Sequence, residues 1–320
     1  MKRKPHQRLD VLATISAAMI SLQARANGEL SHRLNNGIEA ALISFGSGLL
    51  IILLIAAVTP SLRLGLRNLR GAVSRREIPR WTLFAGALGG TFVGIQTHTV
   101  PVIGVAIYSV ASIAGQTAAS LLVDRLGITG GGKKHITPRR TAAAIFTVVA
   151  VYISVFDRIQ GANLQLFAVF LAGVAGVLVG VQRALNGRIN EYTHQSFATS
   201  LLNFFMGTSF LFILFAGLII FGDTGFTPLP AGPWWIYTGG VLGVIYIAFS
   251  ARIVQHLGVL NFTLYSVGGN LLSSLVIDLI WPSESVQVSW YLVAGIFLTY
   301  LGVIVGGVSN LQLPKSQKPE

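Results

Sequence analysis

Two sets of polar side chains recur at helical spacing inside long apolar segments. They are Ser109, Ser112 and Gln116 in one segment and Thr263, Ser266 and Asn270 in another. Intervals of three and four residues place each set on one face of a helix. Hydroxyl and amide groups are costly in hydrocarbon unless they have a partner or line a water-filled space. The two sets are therefore candidate substrate-binding residues, while bonding between neighbouring helices is the alternative interpretation.

A second polar motif, Gln-x-x-x-Asn-Gly, occurs twice, each time towards the end of an apolar run. Its residues, each with an arginine nearby, are Gln23, Arg25 and Asn27 in the first copy and Gln182, Arg183 and Asn186 in the second. Asn-Gly tolerates left-handed backbone angles, so we interpret the motif as the end of each helix. It also places a polar pair at each mouth of a pathway, where a gate would lie. The arginines either reach towards lipid headgroups or attract an anionic group of a solute.

The composition indicates that the chain lies in a lipid bilayer. Of its 320 residues, 52% are hydrophobic and only 11% are charged, and the mean hydropathy is +0.68. Soluble domains carry about 25% charged residues. The net charge of +12 does not indicate nucleic-acid binding, because the basic residues cluster in short segments between apolar runs. The chain has no cysteine and no enzyme motif, so we expect no catalysis, no cofactor and no metal.

A membrane-spanning helix needs about 20 mostly apolar residues, and ten segments meet that requirement. They are roughly 10–29, 38–59, 81–99, 101–123, 140–156, 164–186, 197–221, 234–251, 257–279 and 289–311. The basic segment 60–80 is predicted to form an amphipathic helix on the membrane surface. The bias of Lys and Arg among the connecting segments predicts that both termini lie in the cytoplasm.

The two halves of the chain repeat one another. Residues 81–124 align with 235–278 without a gap, sharing a Trp, an Asp and several Gly. Each unit has five spans, and because five is odd the second unit is inverted. We therefore predict an all-α membrane protein of ten transmembrane helices in two inverted five-helix repeats, residues 1–158 and 159–320. Such repeats place the substrate site near the bilayer midplane, between the units.

The chain resembles the drug/metabolite transporter superfamily, and specifically its ten-helix bacterial YdcZ-type branch with an EamA-like fold. The resemblance rests on LQARANGELSHRL in the first span, AGQTAASLLVDRLG at 114–127 and WWIYTGGVLGVIY at 234–246. It implies that spans 1–4 and 6–9 surround a transport cavity, whereas spans 5 and 10 pack at the periphery. It also implies a location in the inner membrane of a bacterium.

Carboxylates are few in the apolar segments. Asp124 and Asp278 lie at matched positions near span ends, where we expect capping or anchoring at the interface, and Glu39 lies where a carboxylate suits the start of a helix. No Asp or Glu lies in the middle of a span, whereas small multidrug relatives in the superfamily use a membrane-embedded carboxylate in their first helix. This difference argues against export of lipophilic cations.

Together these patterns predict a secondary transporter that moves a small polar metabolite, neutral or anionic, by alternating access. The expected partners are the small-molecule solute and the lipid bilayer, and a homodimer is also considered. Two alternatives stay open at this point. One is a membrane scaffold or sensor that kept the fold without transporting, and the other is a flippase for a lipid-linked head group.

Overall fold

The computed structural model describes residues 5–128, 136–158, 163–222, 225–282 and 288–308. The regular structure within these ranges is helical. The α-helices are α1 (Pro5–Leu34), α2 (Gly37–Val58), α3 (Pro60–Ser74), α4 (Ala85–Leu126), α5 (Pro138–Ser154), α6 (Asn163–Thr193), α7 (Ser196–Phe221), α8 (Gly239–Ile280) and α9 (Trp290–Val308). Short 3-10 segments, Arg80–Phe84 and Trp234–Tyr237, precede α4 and α8.

Length and composition identify membrane-spanning helices in the described part of the chain. Four segments are long and apolar enough to cross a bilayer, namely Gly37–Val58, Arg80–Val123, Gln165–Thr193 and Ser196–Phe221. Two further apolar helices, Leu264–Ile280 and Trp290–Val305, are shorter. Both α4 and α8 have 42 residues. A straight helix of that length would measure about 60 Å, twice the thickness of the hydrocarbon core, so each supplies two spans.

The contacts of α4 show that its two halves run side by side. Gly89 lies against the side chain of Gln182, and Gln116 bonds to the neighbouring Arg183, so both halves reach the same level of α6. The reversal lies at Gly104, whose φ of 80° and ψ of 169° are not helical. A positive φ costs glycine little, because it has no Cβ. In α8, Gly243 and Asn270 likewise both contact the 21–23 region of α1.

Matching helix ends confirm the register of the repeat. Helices α4 and α8 begin 154 residues apart, at Ala85 and Gly239, and they also end 154 residues apart. Helices α1 and α6 end 159 residues apart, at Leu34 and Thr193. The chain is an all-α membrane protein of ten spans, as the sequence predicts. The division at residues 158 and 159 stays a prediction.

Each unit packs mainly against the other one. Helix α1 lies along α8 and α6 lies along α4, while α2 pairs with α7 and α5 pairs with α9. A twofold axis that exchanges the units exchanges α1 with α6 and α4 with α8, so it turns the α1–α8 pair into the α6–α4 pair. The same axis exchanges α2 with α7 and α5 with α9, and each of these helices packs against its own counterpart. Helices α5 and α9 pair with each other, apart from the cavity described below.

The amphipathic helix expected between the second and third spans is present as α3. Its buried residues are Leu62, Gly65, Leu69 and Ala72. Their spacing forms one stripe, which packs against α6 and α7, and the arginines of α3 at 63, 67 and 70 are exposed. This distribution is typical of a surface helix with a basic outer face.

The structure corrects one interpretation of the Gln-x-x-x-Asn-Gly motif. Asn27 and Asn186 do not close their helices, because α1 continues to Leu34 and α6 continues to Thr193. The chain leaves the helix at Asn35 and His194, which both have a φ of 50°. The residues after each Asn-Gly remain helical, so neither Asn-Gly acts as a helix C-cap.

Candidate functional site

A cavity of about 80 Å³ lies between the two units, lined by residues of α1, α4, α6 and α8. The polar residues of its lining are Gln96, Tyr108, Ser109, Ser112, Gln116, Arg183, Tyr246, Ser266 and Asn270. The apolar residues are Ile20, Ala24, Phe92, Ile113 and Val267. Five of the six candidate substrate-binding residues therefore face one space, and Thr263 lies among the residues whose side chains the structure does not describe. Whether the five bind a substrate stays a prediction.

Most of the lining comes in pairs that the repeat relates. Ser112 and Gln116 of α4 correspond to Ser266 and Asn270 of α8, 154 residues later. The same offset relates the aromatic residue Phe92 to Tyr246. Because corresponding residues of both units meet in one cavity, the cavity lies on the pseudo-twofold axis, where inverted-repeat transporters hold their substrates.

Hydrogen bonds connect part of the lining. The Gln116 amide donates to Ser112 Oγ at 3.2 Å, and the Arg183 guanidinium donates to Gln116 Oε1 at 2.5 Å. Where α1 packs along α8, Ser21 Oγ donates to Asn270 Oδ1 at 2.7 Å. The matched residues Gln116 and Asn270 thus each join their own helix to the helix that packs along it.

Two buried hydroxyl groups of the lining lack hydrogen-bond partners of acceptable geometry within the described residues. Ser266 is 7% exposed and Tyr108 is 3% exposed, and neither oxygen is satisfied. Tyr108 lies beside Gln96 and Ser112. An unsatisfied buried hydroxyl group costs free energy, and both are available to a polar ligand in the cavity.

The two arginines of the repeated motif occupy different environments. Arg183 lines the cavity and is the exposed residue of the described lining. Arg25 instead forms an ion pair with Glu29 at 3.2 Å and lies over the ring of Trp235, 5.8 Å from its centroid. The sequence offered snorkelling and anion attraction as alternatives for both. The structure favours neither for Arg25, which has a local carboxylate and an aromatic ring.

The amides of the motif contact the glycines of the other unit. Gln23 lies 3.4 Å from the position that a Cβ on Gly243 would take, and its counterpart Gln182 fills the matching place beside Gly89. A Cβ at Gly89 would clash with the Gln182 amide, whereas a Cβ at Gly243 would only come into ordinary contact with Gln23. The packing of each Gln against a glycine gives a physical reason for the Gln that helix capping did not provide.

The asparagines of the motif differ in burial. Asn27 is 0% exposed, donates to Gln96 Oε1 at 3.3 Å and lies against Gly239. Asn186 is only partly buried and donates to Asn203 Oδ1, also at 3.3 Å. The Asn27 end of the motif is therefore buried, whereas Asn186 is partly exposed and Arg183 is exposed.

Asp278 holds the reversal in α4. Its carboxylate accepts hydrogen bonds from the backbone N–H groups of Val105 at 3.1 Å and Ala106 at 2.8 Å, directly after Gly104. These are orphan donors at the start of the second half of α4. We expect either capping or anchoring at the interface for Asp278, and the structure shows capping. The capped helix is the second half of α4, whereas Asp278 itself belongs to α8. The side chain of Asp124 lies outside the described residues.

Sequence reasoning missed several lining residues. Gln96 follows Phe92 by one helical turn, and Tyr246 is an aromatic residue in the apolar run that begins α8. The aromatic match of Phe92 and Tyr246 at the offset of the repeat was a usable signal. No local sequence pattern identifies Gln96, because its place in the lining depends on a contact with the distant residue Asn27.

The fold and the site define a class, an all-helical membrane protein with a polar cavity between two repeated units. Comparison with family models identifies the family. A model described as "Putative inner membrane exporter, YdcZ" matches residues 10–153 and 167–305. The chain belongs to this family and is a membrane transporter rather than an enzyme.

Comparisons with individual proteins add support for the fold. None of the curated proteins compared matches the chain. A solved structure titled "Crystal structure of protein" is 15% identical to it, covering 94% of this chain and 96% of that one, with a TM-score of 0.54. At this identity the likeness shows the fold alone.

Proposed function

We propose that this protein is a secondary transporter that moves a small polar solute, neutral or anionic, across the bacterial inner membrane by alternating access. The observation that supports the proposal most strongly is the cavity between the two units, lined by the matched pairs Ser112 and Ser266, and Gln116 and Asn270. A scaffold would need no such space. Polar side chains in the middle of a bundle are costly unless they have a partner or line a water-filled space, and the Ser266 hydroxyl group has no partner among the described residues.

The two mouths suggest which state the structure represents. The mouth near Asn27 is closed, because Asn27 and Gln96 are bonded and fully buried. Arg183, near the other mouth, is exposed, which supports an open mouth at that end. With the amino terminus in the cytoplasm, as the basic segments favour, α1 ends outside and α6 ends inside. The open mouth then faces the cytoplasm, and the state is inward-open.

The mechanism that follows is a rocking of the paired helices about the cavity. Opening the outer mouth separates Asn27 from Gln96 and from Gly239. Closing the inner mouth brings Asn186 into an environment like that of Asn27 now. Because a twofold axis relates the units, the contacts that close the outer mouth in one state have counterparts that close the inner mouth in the other state. The family description names an exporter, so we propose that the solute moves outwards.

The experiment uses the absence of native cysteine. Ser266→Cys provides a single thiol in the cavity, and a membrane-impermeant thiol reagent is applied to either face of oriented vesicles. Alternating access predicts labelling from both faces, faster from the cytoplasm. Labelling from neither face, or from one face only, contradicts the proposal and favours a scaffold.

A disulfide across the outer mouth supplies the second half of the test. A Cβ at position 239 would lie 3.0 Å from Asn27 Cγ, so the Cβ atoms of Asn27→Cys and Gly239→Cys come within disulfide range. In the Ser266→Cys background, oxidation should stop labelling from the periplasm and preserve labelling from the cytoplasm. Asn27→Cys alone, treated with the same oxidant, is the control.

A further inference from the structure

We infer that the solute carries a single oxyanionic group, such as a carboxylate, and that the Arg183 guanidinium binds it as the specificity-determining residue. This inference rests on the proposed function, since it names the substrate class of the same cavity. The geometry of Arg183, the absence of a counterion for it within the described part of the chain and the asymmetry between the repeats support it independently of one another.

Arg183 has donors to spare. One nitrogen of its guanidinium donates to Gln116 Oε1, and a guanidinium has five N–H donors in a planar fork that matches carboxylate oxygens. Ion pairs among the described residues join Arg25 and Arg33 to Glu29 and Arg75 to Glu77. Arg183 takes part in none of these. Its charge is therefore available to a ligand.

The rest of the described lining suits a small organic anion. It contains no Asp or Glu that would repel one. The unsatisfied hydroxyl groups of Tyr108 and Ser266 can donate to an oxyanion, and hydrogen bonds to a charged acceptor are stronger than those to a neutral one. Ile113 and Val267 form an apolar wall for the remainder of the solute.

At the matched positions of the lining, only one of the two units supplies a cation. The position that corresponds to Arg183 in the first unit is Ala24, which also lines the cavity. The other arginine of the motif lies one position further on, at Arg25, where Glu29 and Trp235 hold it. One cation at one mouth binds one anionic group, and it also distinguishes the two ends of the solute.

The test measures the electrostatic potential of the cavity without knowledge of the solute. A single thiol at Ser112→Cys reacts with two methanethiosulfonates of similar size, the anionic sulfonatoethyl and the cationic trimethylammonioethyl reagents. The measurement is the ratio of the anionic to the cationic rate, divided by the same ratio for a free thiol in solution. We expect this normalised ratio to exceed one.

Charge variants assign the effect to Arg183. Arg183→Gln should lower the ratio by about tenfold or more. A positive charge in the same cavity as the thiol attracts the anionic reagent and repels the cationic one, so its loss changes the two rates in opposite directions. Arg183→Lys, which keeps the charge, should retain most of the ratio. Arg25→Gln is the matched control and should leave it unchanged. Each variant is first shown to elute as a folded protein, and Arg183→Ala removes the charge instead if Arg183→Gln does not fold.

The outcomes separate this inference from the proposed function. A thiol that reacts with both reagents but without preference for the anionic one, or a ratio that falls as much in Arg25→Gln as in Arg183→Gln, overturns the inference and leaves the transport cavity intact. A ratio lost in Arg183→Lys also overturns it, since charge would then not be the cause. A thiol that reacts with neither reagent overturns the proposed function and this inference together.

Discussion

Alanine substitutions along α6 test whether the close crossing of α4 and α6 shapes the cavity. Gly173 and Gly176 are one helical turn apart in the same interface. A Cβ on Gly176 would lie 2.9 Å from the Ser112 Cα and would clash with the Ser112 carbonyl oxygen. A Cβ on Gly173 would have its nearest neighbour, the Ala111 carbonyl oxygen, at 3.9 Å, an ordinary contact. Gly176 therefore determines how closely the helices approach, and Gly173 does not.

The expected magnitudes follow from these distances. Gly176→Ala forces backbone apart, and overpacking of this kind costs about 1–3 kcal/mol. Gly173→Ala and the exposed Gly187→Ala, with nothing within 4 Å of the added Cβ, should gain up to about 1 kcal/mol from helix propensity. The gain in helix propensity is common to both variants, so we expect Gly176→Ala to unfold about 2–12 °C below Gly173→Ala, at about 2–4 °C for each kcal/mol.

The assay is thermal unfolding of the purified protein in detergent, followed by tryptophan fluorescence. Gly187→Ala reports the effect of the substitution itself on a helix of this protein. Equal unfolding temperatures for Gly173→Ala and Gly176→Ala would refute the reasoning, because the predicted backbone clash would then be absent.

Two further predictions concern carboxylates. Asp278→Ala leaves the N–H groups of Val105 and Ala106 unpaired and should cost about 1–3 kcal/mol for each. Asp278→Asn, which keeps one acceptor, should cost less, and equal unfolding temperatures for the two variants would contradict the capping role. At the surface, the hydrogen bond from the Arg75 guanidinium lowers the pKa of Glu77. The contribution of that pair is present at neutral pH and lost as the pH falls through the lowered pKa. Arg75→Gln should raise the pKa of Glu77 in an NMR titration, with little change in unfolding temperature at pH 7, because exposed pairs contribute little.

The sequence predicted the spans and the register of the repeat because both depend on local patterns. Apolar length identifies a span, and the gapless match of 81–124 to 235–278 is reproduced by the equal bounds of α4 and α8. The polar stripes were also predictable, since a spacing of three and four residues fixes a helix face. The sequence thus predicts a common space for Ser112 and Ser266, and both residues line the cavity.

Other features depend on contacts between distant residues and had no local signal. The Asn-Gly motif pointed to helix ends, yet α1 and α6 continue for another two turns. The different roles of Arg25 and Arg183 follow from a shift of one position, which rotates a side chain about a helix by about 100°. Only the packed structure shows which of the two then meets the cavity and which meets Glu29.

The inversion of the two units is the central claim, and the topology of matched residues tests it most directly. His32 and Glu191 occupy corresponding exposed positions near the ends of α1 and α6. In the cysteine-free chain, His32→Cys and Glu191→Cys are labelled separately with an impermeant thiol reagent on intact and on permeabilised cells. The account predicts that His32→Cys reacts in intact cells and that Glu191→Cys reacts only after permeabilisation. Labelling of both residues from the same face of the membrane would contradict it.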